Sequence, residues 1–285
     1  MACPQLGSFV NARNLRIQTV IWHPEATPVA LVIFLHGYGT STTENKAWQR
    51  VAEAHTSHGL VCAGLDYPGH GRSEGRRRHI EHISFILDDV MQFATMLLEL
   101  YPGLPVFLRG QSTGGLVAIS AGLRHPDLFN GLALGAPPYQ LRWYISLFAP
   151  RGITSGGSYV QQHIGRLTVP LAVFQGVEDS TVAPQGARRL VHEAASLDKA
   201  LYLYKNMGHN MSIEPDVLAW VLPRVPHAVS SAPTLNVRSP LPGAEWPPPP
   251  GSKDATVNTT LEVILDPERQ STVLNELFWE RAGPL

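Results

Sequence analysis

Cysteine is nearly absent from this chain: two in 285 residues, Cys3 and Cys62, far apart and in no CxxC pair. That excludes a disulfide framework and a cysteine-based zinc site as the organising device, and makes a reducing compartment the expectation. Charge of one sign is also missing. The net charge is -1 and only 16% of residues are charged, so nucleic acid is not an expected partner. No apolar run approaches the roughly 18 residues that span a bilayer. The opening MACPQLGS shows no basic segment followed by an apolar one, so no signal peptide is expected.

Apolar residues in short bursts are plentiful, at 44% overall, enough for a sizeable core. Residues 29–35 read VALVIFL, a continuous apolar run of the kind a strand shows when both faces of a parallel sheet are covered. Residues 60–65, 105–108, 131–135, 170–174 and 200–204 read the same way, and two strand-like pieces, 8–11 and 15–22, precede them. Helical spacing lies between. Ile86, Val90, Phe93, Leu97 and Leu100 recur at steps of four and three, and Ala187, Leu190, Val191, Ala194 and Ala195 do the same. Alternating buried strands and helices predict an α/β fold, a mostly parallel sheet with helices on both faces. Reactive groups are then expected just after strand ends. Residues 1–225 are read as this domain. From 226 the chain turns rich in Pro, Ser and Gly, and 226–285 is read as a Pro-rich linker and tail with room for a short strand and a helix.

One stretch carries chemistry most openly. LRGQSTGGLVAI (108–119) places Ser112 in a G-x-S-x-G motif, with Gly110 two before and Gly114 two after, between a strand and an apolar helix expected over 113–123. That is the context of a nucleophile elbow, a turn too sharp for larger flanking residues, which lifts the serine hydroxyl clear of the backbone. A serine needs a base to take its proton. Elbow enzymes supply the partners in the order Ser, acid, His. Asp179 follows the 170–174 strand and His209 follows the 200–204 strand. His209 is the expected base and Asp179 the acid that fixes its tautomer; the adjoining Glu178 is the alternative acid. The His36-Gly37 turn after 29–35 offers the Tyr38 backbone N–H, which with that of Thr113 makes an expected two-donor oxyanion hole.

The segments GSFVNARNLRI, FLHGYG, LDYPGHGRSEG, GQSTGG, GVED and SLDKALYLYKNMGHNMSIEPD resemble the monoacylglycerol lipase and lysophospholipase-like branch of the α/β-hydrolases, of plant and protist type, over about residues 7–225. The resemblance implies esterase action on long-chain monoglycerides or lysolipids, with caffeoylshikimate esterases among plant relatives. By motif Ser112, Asp179 and His209 match its triad, and Tyr38 and Thr113 its oxyanion hole. No metal or organic cofactor is implied. The expected substrate is an ester or lipid: monoacylglycerol first, lysophospholipid next, a small aromatic ester third. The expected location is cytoplasmic, with peripheral membrane contact left open because a lipolytic enzyme must meet an insoluble substrate. The branch carries a substantial cap between the sixth and seventh strands. Here 138–168 gives a reduced cap, with WYISLF (143–148) as either a surviving cap helix or a simple cover for the sheet end. The short cap and the Pro-rich tail keep open a cap-truncated, non-catalytic interaction module. Acyl transfer to an alcohol is the enzymatic alternative, although no histidine has an aspartate five positions on. The Arg76–Arg78 run is either a phosphate-recruiting element or a solvated loop.

Overall fold

The computed structural model describes residues 4–226 and, for the backbone, 260–265. Nine strands form one sheet: β1 (Pro4–Val10), β2 (Arg16–Trp22), β3 (Ala30–Leu35), β4 (Leu60–Leu65), β5 (Val106–Gln111), β6 (Gly131–Gly135), β7 (Leu171–Gly176), β8 (Lys199–Tyr204) and β9 (Thr260–Leu265). Their order is β1-β2-β4-β3-β5-β6-β7-β8-β9. The β1–β2 and β2–β4 pairs are antiparallel, and every pair from β4 to β9 is parallel. The expected α/β-hydrolase architecture is present. Of the segment read as linker and tail, Thr260–Leu265 pairs with β8. The Pro-rich stretch and the helix suggested by Val273, Leu274, Leu277 and Phe278 lie outside the described residues.

Side-chain alternation explains the apolar runs. In β3, Leu31, Ile33 and Leu35 point into one core while Ala30, Val32 and Phe34 point into another. Helices α2 (Ile83–Leu100), α3 (Thr113–Arg124) and α6 (Pro184–Glu193) supply buried residues to the first core. Helices α1 (Lys46–Thr56) and α7 (Glu214–Val221) cover the second, where Phe34 stacks on Trp48 with ring centroids 4.9 Å apart. Both faces are dry, so both halves of the alternation must be apolar.

The connection between β6 and β7 holds two helices, α4 (Trp143–Ser146) and α5 (Arg151–His163). α5 is a scaffold element: Ile153 and Val160 join the first core. Its glycines allow close approach, since a Cβ on Gly152 would stand 2.7 Å from the Ile80 carbonyl oxygen. The exposed large apolar side chains of the connection all lie before residue 151. There WYISLF forms a single helical turn, with Trp143, Leu147 and Phe148 75%, 68% and 89% exposed.

The chain runs from β3 to β4 on one side and then crosses to β5 on the other. The carboxyl ends of β3 and β5 therefore lie side by side at a topological switch point, where open α/β sheets bind ligands.

Candidate active site

Strand β5 continues to Gln111, three residues beyond the apolar run, and hands over directly to α3. Ser112 sits between them at φ +51°, ψ −121°, a conformation that L-residues seldom adopt. Neighbouring backbone explains the flanking glycines. A Cβ on Gly110 would stand 2.5 Å from the Gly114 carbonyl oxygen, and one on Gly114 only 1.9 Å from that of Leu35. No flexible side chain could relieve either contact, so the elbow forms only with glycine at both places.

Three expected residues meet here. His209 Nε2 lies 3.0 Å from Ser112 Oγ, and His209 Nδ1 lies 2.8 Å from Asp179 Oδ2. Since a carboxylate only accepts, Nδ1 carries the proton and Nε2 is free to accept from the serine. Asp179 is fully buried. Burial pushes its carboxyl upward. The His209 hydrogen bond and the Val182 and Thr181 N–H groups outweigh that and hold it below the usual aspartate value. Those N–H groups donate to Oδ1 at 2.9 and 2.7 Å. Glu178, the alternative acid, is exposed, and among the described residues no hydrogen bond or ion pair joins it to His209.

Gly37 crosses the elbow: a Cβ built on it would lie 3.4 Å from Ser112 Cβ. Among the described residues, neither the Tyr38 nor the Thr113 backbone N–H has an acceptor. Both are left available for a ligand oxygen. Among the described residues no group of three or more His, Cys, Asp or Glu side chains could hold a metal ion, and no helix is long and apolar enough to cross a membrane.

The support around these groups is absent from the sequence reading. Gln175, fully buried at the end of β7, donates from Nε2 to Asp179 Oδ2 at 2.9 Å. Gln111 Nε2 donates to the His209 carbonyl at 3.1 Å. Arg109, 3% exposed within β5, pairs with Glu214 at 2.8 Å and so ties the start of α7, where the loop after His209 ends, to the elbow strand. One signal could have found Arg109 and Gln175: each is a polar residue interrupting a buried apolar strand near its carboxyl end.

The α4 segment is fastened to the acid loop. Arg142 Nε and Nη2 donate to the Asp179 carbonyl at 3.1 and 3.0 Å, and the Tyr144 hydroxyl donates to the Ser180 carbonyl at 2.6 Å. The exposed apolar side chains of 143–148 thus stand at the rim of the site.

A family model described as serine aminopeptidase, S33, matches residues 26–151 and 144–216, the two segments meeting in the β6–β7 connection. The monoacylglycerol lipase of Mycolicibacterium smegmatis is 26% identical over 271 residues, covering 75% of this chain and 96% of the relative. The monoglyceride lipase of Homo sapiens is 25% identical over 287 residues, covering 80% and 94%. The caffeoylshikimate esterase of Arabidopsis thaliana is 25% identical over 267 residues, covering 73% and 80%. Among solved structures, a soluble variant of monoglyceride lipase from Saccharomyces cerevisiae in complex with a substrate analogue superposes with a TM-score of 0.70 at 16% identity, covering 80% of this chain and 97% of that one.

Proposed function

The chain belongs to the hydrolase family described as serine aminopeptidase, S33, and within that family we propose that it cleaves the ester bond of a monoacylglycerol through an acyl-enzyme on Ser112. The broader statement, a carboxylic ester hydrolase similar to monoacylglycerol lipases, follows from the family and the relatives. The finer one is carried by a single observation: a serine held at φ +51°, 3.0 Å from a histidine that is itself 2.8 Å from a buried aspartate.

In this reading His209 Nε2 takes the Ser112 proton as Oγ attacks the ester carbonyl. The carbonyl oxygen becomes an oxyanion and accepts from the Tyr38 and Thr113 N–H groups. One such donor is worth about 10²–10³ in rate. His209 then gives its proton to the departing glycerol oxygen, the C–O bond breaks, and Ser112 is left acylated. Water, deprotonated by His209, attacks the acyl carbon; the bond to Ser112 Oγ breaks, His209 returns its proton to Oγ, and the fatty acid is released. Asp179 stays ionised throughout and stabilises the imidazolium.

The exposed Trp143, Leu147 and Phe148 support a lipid substrate, since they give the rim an apolar surface that water solvates poorly. In the same reading these side chains contact the lipid surface that holds the substrate. A lysophospholipid is the second reading. It is favoured by Arg78, whose carbonyl accepts from the Tyr38 hydroxyl at 2.9 Å, so the basic 76–78 run ends beside the oxyanion loop.

Fatty-acid release from oleoylglycerol, oleoyl-lysophosphatidylcholine and a feruloyl ester, with acyl products identified, tests the proposal. Oleoylglycerol is expected to turn over fastest, with water as the acyl acceptor. Faster turnover of the choline lipid favours the second reading. A folded protein that hydrolyses none of the three contradicts both and favours a non-catalytic interaction module.

A further inference from the structure

We infer that His36 is a positioning residue, whose imidazole holds the Gly37–Tyr38 peptide so that the Tyr38 N–H faces the developing oxyanion. This rests on the serine hydrolase reading above and explains how one half of the oxyanion hole is kept in place.

The argument begins with protons. His36 is fully buried directly after β3. Its Nε2 lies 3.0 Å from the Tyr67 backbone nitrogen. A backbone N–H can only donate, so Nε2 must carry a lone pair. The proton of the neutral ring is therefore on Nδ1, which lies 2.7 Å from the Gly37 carbonyl oxygen and donates to it. Burial disfavours a second proton and holds the ring's pKa down at about 4. His36 thus stays a one-donor, one-acceptor group near neutrality.

Peptide geometry supplies the next step. The Gly37 C=O and the Tyr38 N–H belong to one planar trans unit and point in opposite directions. Fixing the carbonyl on the His36 side sends the N–H to the other side. Gly37 packs on Ser112, and the Tyr38 N–H has no acceptor among the described residues. Left unpinned, this peptide could rotate toward solvent and the donor would be lost. The ring is fixed in turn. It stacks on buried Tyr67 at a centroid distance of 3.9 Å. The Tyr67 N–H sets its tautomer, so the end of β4 and the end of β3 together aim the donor.

Two isosteric substitutions separate this role from plain packing. Asparagine can place a donor where Nδ1 was, whereas glutamine can place an acceptor only where Nε2 was. The folded His36→Gln protein, which keeps the Tyr67 contact, is expected to lose about 10²–10³ in kcat with KM little changed. The His36→Asn protein is expected to stay within about tenfold of wild type. Affinity for an alkyl trifluoromethyl ketone should track kcat. Ser112 Oγ adds to its carbonyl carbon, the proton passes to His209, and the carbonyl oxygen becomes a stable oxyanion. Equal losses in both variants, or a His36→Gln loss confined to KM with ketone affinity intact, overturn the inference. Should either variant unfold, the wild type still decides. Long-range ¹H–¹⁵N correlations must find the His36 proton on Nδ1, and a proton on Nε2 rejects the pin. A wild-type protein that neither turns over esters nor binds the ketone overturns the hydrolase reading itself, and this inference with it.

Discussion

The floor and the rim of the site are built on different principles. On the floor, each group of the proposed triad is fixed more than once. Ser112 is held by two glycines that tolerate no Cβ, Asp179 by four hydrogen bonds, and His209 by Asp179 on its ring and Gln111 on its carbonyl. At the rim, the α4 turn is tied down by its polar side chains and leaves its apolar ones in water. Under the proposed function this difference is a division of labour. Preorganised chemistry needs rigid, dry surroundings, whereas recognition of a water-insoluble substrate needs apolar surface that only the substrate will cover.

The floor gives the largest expected effects. Ser112→Ala is expected to lower kcat by about 10⁴–10⁶ without changing the unfolding transition. A loss within tenfold would mean the catalytic serine is elsewhere. Next in size is Glu214→Ala, which strands the buried Arg109 guanidinium. A stability loss of about 3 kcal/mol in urea unfolding is expected. A loss below about 0.5 kcal/mol would show the pair to be no more than a surface contact. At the rim, the Trp143→Ser, Phe148→Ser double variant should reduce turnover of vesicle-borne oleoylglycerol about tenfold while a soluble short-chain ester is processed at the wild-type rate. Equal losses on both substrates would erase the distinction between rim and floor.

The smallest effect is one of pH. Gln175→Met removes a donor from Asp179 Oδ2. That loss raises the Asp179 carboxyl from its depressed folded value. A depressed carboxyl contributes stability above the unfolded value that is lost as pH falls through the folded one. Acid unfolding of the variant should therefore begin at higher pH than in wild type.

Much of the floor was legible in the sequence. Strands buried on both faces read as unbroken apolar runs, so β3 through β8 were recognisable, and the glycines around Ser112 mark the elbow because its steric demands are local. The order of Asp179 and His209 after successive strands did the rest. Other elements were hidden for physical reasons. α1 buries His55 and Thr56 beside Trp48 and Ala52, which blurs its apolar face. α5 has three glycines, poor helix formers, and exists because it packs on the ends of other helices. The supports of the site were the least readable. Arg109 and Glu214 are 105 positions apart, and His36 and Tyr67 are 31 apart. A polar residue inside an apolar strand marks Arg109, but nothing local in the sequence announces which residue it, or His36, will meet.

The central claim is that Ser112 is activated by His209 and Asp179 in a site with a formed oxyanion hole. Labelling with a fluorophosphonate probe, followed by mass spectrometry of the modified peptide, tests it most directly. The account predicts a single adduct on Ser112 in the wild type, and none in Ser112→Ala. A folded wild type that takes up no label, or an adduct that persists in Ser112→Ala, would contradict it.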